Sequence, residues 1–194
     1  MHLGICVPAR DQVHTAFARS LCYLTNKLTE KQISFDLNIV CGSVIAESRT
    51  QLAKQALDNN STHLLWLDSD IHFPPNVFEK LLSHNKHIVA ANYSTRYLPQ
   101  RSVAFTDPKN IDRRLEEKTG LHQVWAVGMG CMLTTAEVYN NLPKPWFSHE
   151  YNRELDNFGG EDIYFCNQAG YHGYDVWVDA DIKTAHFGIK ANTL

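Results

Sequence analysis

Four apolar residues, Leu64-Leu65-Trp66-Leu67, run straight into Asp68-Ser69-Asp70. A run this short and this uniformly apolar reads as a strand covered on both faces, inside a sheet with helices on either side. The two carboxylates then arrive at the C-terminal edge of that sheet, where open α/β sheets bind ligands. A carboxylate is costly to bury unless it is paired or bound to a metal. A hard divalent cation carrying a substrate phosphate would pair both. The stretch points to an enzyme acting on a phosphorylated, nucleotide-linked substrate. Read as turn chemistry alone, Asp70 ahead of Pro74-Pro75 would only hold a loop.

The flanking sequence alternates strand and helix. Residues 3–8 form an apolar strand stopped at Pro8, and residues 11–29 return Val13, Phe17, Leu21, Leu24 and Leu28 on one helical face. Residues 35–41 make a second strand ended by Gly42-Ser43, and 44–58 a second helix with Leu52, Ala53, Ala56 and Leu57 inward. The strand at 63–68 follows. Pro74-Pro75 suits the start of a helix bearing Val77, Phe78, Leu81 and Leu82, and 87–92 is a fourth strand. Residues 94–120 form a polar excursion with a short strand near Val103–Phe105. A strand at 123–127, a helix at 135–141, an aromatic loop at 146–159, a helix at 161–169, a strand at 174–178 and a tail bearing His186 complete the chain. This predicts one α/β domain over residues 1–194, a Rossmann-like, mixed and mostly parallel sheet flanked by helices.

Composition removes several alternatives. A net charge of -3 offers no general field for nucleic acid. The five cysteines include no C-x-x-C pair, which argues against a zinc ribbon or a disulfide framework and for a reducing compartment. The chain starts without a signal-like segment and has no apolar run long enough to span a bilayer, so a cytoplasmic location is expected.

Two further elements carry chemistry. In Gly159-Gly160-Glu161-Asp162 the glycines allow close backbone approach, and the acids open a helix whose dipole favours their ionised form. A carboxylate held there and aimed at a cleft could take a proton from a hydroxyl, although acids in a first helical turn often only stabilise the helix. Among ten histidines, His186 gains weight only from these neighbours; a neutral imidazole is a good divalent-metal ligand.

Taken together, these stretches resemble the GT-A type of nucleotide-sugar-dependent glycosyltransferase, and within it the family 2-like enzymes. The opening strand with Pro8-Ala9-Arg10 is similar to the family's nucleotide-binding start, and Arg49 in ESRTQLAKQAL to the helix arginine ahead of its metal motif. WLDSDIHFPP resembles the D-x-D segment, VGMGCMLTTAEVYNNLPKPWF the sugar-pocket segment, and FGGEDIYFCNQAGYHGYDVWVDADIKTAHFG the acid pair, its helix and a terminal metal-binding histidine. The resemblance implies that Asp70 and His186 bind manganese or magnesium, with Asp68 facing the ribose or the metal's surroundings. It implies Asp162 as the base and Glu161 as an orienter of hydroxyls. Pro8, Ala9, Arg10, Arg49, Asp68 and Ser69 would lie along the nucleotide, and Met129, Gly130, Trp146 and Gly160 along the sugar. A sugar would move from a nucleoside diphosphate donor, uridine-linked by the family's habit, to a hydroxyl on a glycan, lipid, protein or nucleobase. With Asp162 opposite the leaving group, a single displacement would invert the anomeric centre. One departure is Cys41-Gly42-Ser43, where many relatives carry an acid after the second strand.

Three rivals follow different chemistry. A sugar nucleotidyltransferase would need a glycine-rich loop where this chain has CVPARDQVHT. An aspartyl phosphohydrolase would place its D-x-D-x-[TV] strand end close to the N-terminus. A non-catalytic carbohydrate- or nucleotide-binding relative would keep the acids without turnover.

Overall fold

A computed structural model describes residues 1–96, 98–152 and 156–187. The elements run β1 (His2–Ala9), α1 (Thr15–Glu30), β2 (Ser34–Cys41), α2 (Ile45–Asp58), β3 (His63–Leu67), β4 (Ile71–His72), α3 (Val77–Ser83), β5 (Ile88–Ala91), β6 (Ala104–Phe105) and β7 (Leu121–Val124). They continue with β8 (Ala126–Val127), β9 (Cys131–Thr135), α4 (Ala136–Asn141), β10 (Tyr151–Asn152), β11 (Asn157–Phe158), α5 (Glu161–Tyr171), β12 (Val176–Asp179) and β13 (Ala185–His186). Among the described residues, no helix is long and apolar enough to cross a membrane.

Seven strands form the central sheet in the order β2-β1-β3-β9-β5-β12-β7. Five of them point the same way; β9 and β7 run against the rest. The sheet is therefore α/β and mostly parallel, as the strand–helix alternation implied. Residues along β3 divide between the two faces with a period of two. Leu64 and Trp66 join α2, α4 and α5 in one core cluster, while Leu65 and Leu67 join α1 and α3 in the other. All four are fully buried, each contributing about 1.5–3 kcal/mol relative to exposure. That double cover fixes β3 in place and so fixes the acids that follow it.

The antiparallel strand β9 is the main departure from expectation. It lies between β3 and β5, pairing Leu65 with Leu133 and Val89 with Leu133. Both its faces are buried, so its sequence lacks the alternation that marks a half-exposed strand. The strand expected at 123–127 is split. β7 pairs with β12 at the sheet edge, whereas β8 leaves to pair with β6. On α1, Phe17, Leu24 and Leu28 are buried as expected, but Val13 precedes the helix and is exposed, and Ser20 takes an inward place.

Candidate active site

The acids leave β3 in a tight turn. The Ile71 N–H donates to the Asp68 carbonyl at 3.1 Å, and the two-residue strand β4 follows at once. β13 pairs with β4, setting His186 opposite Ile71 and Ala185 opposite His72. The Phe187 N–H donates to the Asp70 carbonyl at 3.0 Å, and the Phe187 ring stacks on His14 at 4.2 Å between centroids. This short antiparallel pair draws the end of the described chain back to the sheet edge, beside Asp70.

His186 Nδ1 lies 3.1 Å from the Ser94 carbonyl oxygen. A carbonyl can only accept, so Nδ1 carries the proton and Nε2 presents its lone pair. Nε2 stands 3.4 Å from Asp70 Oδ1, a buried oxygen with no hydrogen-bond partner among the described residues. Two acceptors facing each other at this distance repel unless positive charge lies against them. Arg96 supplies it, with Nη2 at 2.6 Å from Asp70 Oδ2 and Nε donating to His186 Nε2 at 2.7 Å. Among the described residues, no three His, Cys, Asp or Glu side chains gather as a metal cage. Asp70 and His186 form a two-donor set, which suits a cation whose remaining positions are filled by phosphate oxygens and water.

A second network lies behind Asp68. Arg49 is 1% exposed on the inward face of α2. Its Nη2 donates to Asp68 Oδ1 and its Nε to Glu161 Oε1, each at 2.9 Å. Burial opposes the Arg49 charge, but Asp68 and Glu161 outweigh it and hold the pKa above its ordinary value. The guanidinium thus ties the end of β3 to the start of α5. Asp162, next in the chain, accepts from the Ile163 N–H at 2.8 Å. A Cβ on Gly160 would sit 2.4 Å from Asp162 Oδ1, so glycine makes room for this carboxylate. Burial, then the Glu161 charge, push the Asp162 pKa up to about 6 against the pull of Arg49. Such a group is poised to exchange a proton near neutral pH.

Tyr93 closes the floor between the two networks. Its hydroxyl accepts from the Gly130 N–H at 2.9 Å, and the Asp68 N–H donates to the Gly130 carbonyl at 2.9 Å. Burial, then the charges of Asp68 and Asp162, hold the Tyr93 pKa well above its ordinary value. A Cβ on Gly130 would meet the Tyr93 hydroxyl oxygen at 2.7 Å and Asp68 Oδ2 at 3.1 Å, so this glycine permits the close approach.

Two cavities meet at this point. One, about 410 Å³, is lined by Pro8, Ala9, Arg10, Asp68, Ser69, Asp70 and Arg96 together with Gly42, Ser43, Ile45 and Ser48. The other, about 460 Å³, includes Asp68, Tyr93, Arg96, Arg114, Gly160, Asp162 and His186 in its walls. Pro8, Ala9, Arg10, Asp68, Ser69 and Asp70 were all expected at a ligand site, and they share one cavity. Arg49 is not among its walls: the side chain is buried, with Nε on Glu161 and Nη2 on Asp68. Met129 is fully buried. Trp146 lies in the aromatic cluster under α5, its Nε1 donating to the Leu142 carbonyl at 3.3 Å and its ring against Tyr139 at 5.5 Å. Glu161 likewise faces Arg49 rather than the open space. A sequence reading passes over Arg96 and Tyr93. The signal that would have revealed the burial of Arg49 is its spacing with Leu52, Ala53 and Ala56, all on one helical face.

Comparison with known proteins agrees with this architecture. A197 from STIV superposes with a TM-score of 0.66 at 17% identity, over 97% of this chain and 87% of that one. GalNAc-T7, solved with UDP, GalNAc and Mn2+, superposes with a TM-score of 0.59 at 13% identity, over 98% of this chain. The chain spans 44% of the GalNAc-T7 chain, less than half its length. At these identities the likeness concerns the fold, which is of the GT-A type. The Anp1 family model matches residues 25–163, well over half of the sequence. The chain belongs to the Anp1 family, a glycosyltransferase-like family, and carries the GT-A fold.

Proposed function

We propose that residues 1–194 form one catalytic domain that moves a sugar from a nucleoside diphosphate sugar to an acceptor hydroxyl, with a divalent cation and with inversion. The observation that carries this reading is the facing pair Asp70 Oδ1 and His186 Nε2, 3.4 Å apart, with an orphaned carboxylate oxygen on one side and a ring lone pair on the other. Those two donors fit Mn2+ or Mg2+, with Asp68 alongside. Bound there, the ion would act as a Lewis acid that neutralises charge on the diphosphate leaving group.

The chain's own residues do the rest. Pro8, Ala9, Arg10 and Ser69 line the cavity proposed for the nucleotide. Uridine is the proposed base, the one present in the GalNAc-T7 structure. Gly130 and Gly160 give the sugar room beside Asp68 and Asp162, while Met129 and Trp146 support that wall from the core. Asp162 takes the proton from the acceptor hydroxyl as it attacks. Its pKa of about 6 leaves it mostly ionised at neutral pH yet basic enough to accept. Arg49 and Glu161 hold the start of α5, and with it Asp162, at a fixed distance from Asp68. A base on the acceptor side and a leaving group on the other favour a single in-line displacement, hence inversion.

A screen of sugar nucleotides with Mn2+, read by thermal unfolding and by release of nucleoside diphosphate, tests this reading. A bound donor stabilises by mass action, about 2.7 kcal/mol at roughly 100 times its dissociation constant. The expected result is one donor that both stabilises the chain and is turned over with metal. No stabilisation by any sugar nucleotide, with or without metal, overturns the reading.

A further inference from the structure

The segment between β5 and β6 folds back on itself. The Val103 N–H donates to the Tyr93 carbonyl at 3.0 Å, the Thr95 N–H to the Arg101 carbonyl at 2.9 Å, and Ser94 and Ser102 form an antiparallel bridge. These bonds hold Arg96 over the edge of the sheet. Its guanidinium contacts both members of the donor pair, Asp70 Oδ2 at 2.6 Å and His186 Nε2 at 2.7 Å. Arg96 also lines both cavities, so it stands on the boundary between them.

A guanidinium keeps its charge at any working pH. It therefore competes with a divalent ion for the His186 Nε2 lone pair and for the charge of the Asp70 carboxylate, and the two cations repel at close range. The competition is not a lock. The Arg96 side chain is 43% exposed, and ion pairs this exposed are weak. Once displaced, the guanidinium still needs an anion. A diphosphate in the adjoining cavity offers oxygens that its planar fork matches in pairs.

We propose that Arg96 is a donor-binding residue that exchanges partners: it pairs with Asp70 and His186, yields them to the divalent ion when that binds, and takes the donor diphosphate instead. This rests on the function proposed above. It makes metal and nucleotide mutually dependent. Metal alone must displace Arg96 into solvent, whereas metal with diphosphate gives it a new partner. Each ligand then raises the affinity for the other by the same factor.

The test is calorimetric titration of Mn2+, with and without UDP, into the full chain and its Arg96→Gln and Asp70→Ala variants. Without nucleotide, Arg96→Gln is expected to bind Mn2+ up to about fivefold more tightly than the parent, because the resident cation is gone. With saturating Mn2+ it is expected to bind UDP about tenfold more weakly. Unchanged or weaker Mn2+ binding by Arg96→Gln overturns the exchange, whatever happens to UDP; unchanged UDP binding overturns it as well. If the parent binds Mn2+ and UDP, Asp70→Ala does not, and Arg96→Gln matches the parent, only the exchange falls. If the parent and Asp70→Ala behave alike, the metal site and the exchange fall together.

Discussion

His186 Nε2 and Asp70 Oδ1 face each other across 3.4 Å, though more than half the chain separates them in sequence. The approach is made by backbone pairing, not by the side chains. β13 against β4 sets His186 beside Ile71, and the ring is turned by the Ser94 carbonyl so that its lone pair points inward. The backbone thus brings the two acceptors together, which is the preorganisation that the proposed cation site requires.

Asp162→Asn separates proton transfer from binding. The amide keeps the size of the side chain but cannot take a proton. Donor affinity should stay within about threefold of the parent, while kcat falls by about 10²–10⁴-fold. Steady-state kinetics with titration of the donor checks both halves. A variant that turned over like the parent would remove Asp162 from the base role.

The pH profile carries the same signature. In the proposed role Asp162 acts when deprotonated, and burial and the adjacent Glu161 charge raise its pKa to about 6. The parent kcat/KM should therefore rise as pH increases through about 6 and then level, with protonation switching the base off below that point. The residual activity of Asp162→Asn should lack this step. The measurement is kcat/KM from acid to neutral pH at fixed free Mn2+.

Arg49→Met tests the buried link between β3 and α5. The substitution keeps an unbranched side chain but leaves Asp68 and Glu161 without their counter-charge, with Glu161 only 7% exposed. Removing one partner of a buried ion pair typically destabilises by about 3–5 kcal/mol. Urea unfolding should show that loss, and Asp68→Asn combined with Glu161→Gln in the Arg49→Met background should recover part of it.

How much of this was legible beforehand depends on whether the signal is local. The strand expected at 63–68 and its acids stood out because four apolar residues in a row have few other uses. The acid pair at 161–162 stood out because two glycines precede it. β9 did not, because Cys131-Met132-Leu133 ahead of Thr134-Thr135 is a shorter apolar run than 64–67, and burial on both faces leaves no alternation to replace it. β4 and β13 have two residues each, too few for any period, so the meeting of His186 with Asp70 rested on family resemblance alone. Arg96 was one of six cationic residues in the polar stretch at 94–120, made notable only by the groups it contacts. Trp146 and Met129 were expected along the sugar from the family resemblance, and both side chains are buried in the core.

Gly130→Ala probes the close approach of Tyr93. The new methyl would lie 2.7 Å from the hydroxyl oxygen and 2.9 Å from Cζ of a buried ring that has little room to retreat. Overpacking of this kind costs about 1–3 kcal/mol. The displaced ring also borders Asp68, so donor affinity should fall together with stability. Thermal unfolding and donor titration on the same preparation check the pairing of the two effects.

The most direct measurement is calorimetric titration of UDP, with and without Mn2+, into the parent chain, Asp70→Ala and His186→Ala. The expected result is binding that requires the metal in the parent and is lost, or weakened by at least about tenfold, in each variant. UDP binding that is indifferent to Mn2+, or that survives unchanged in Asp70→Ala with the metal present, contradicts the assignment of Asp70 and His186 as the cation's ligands.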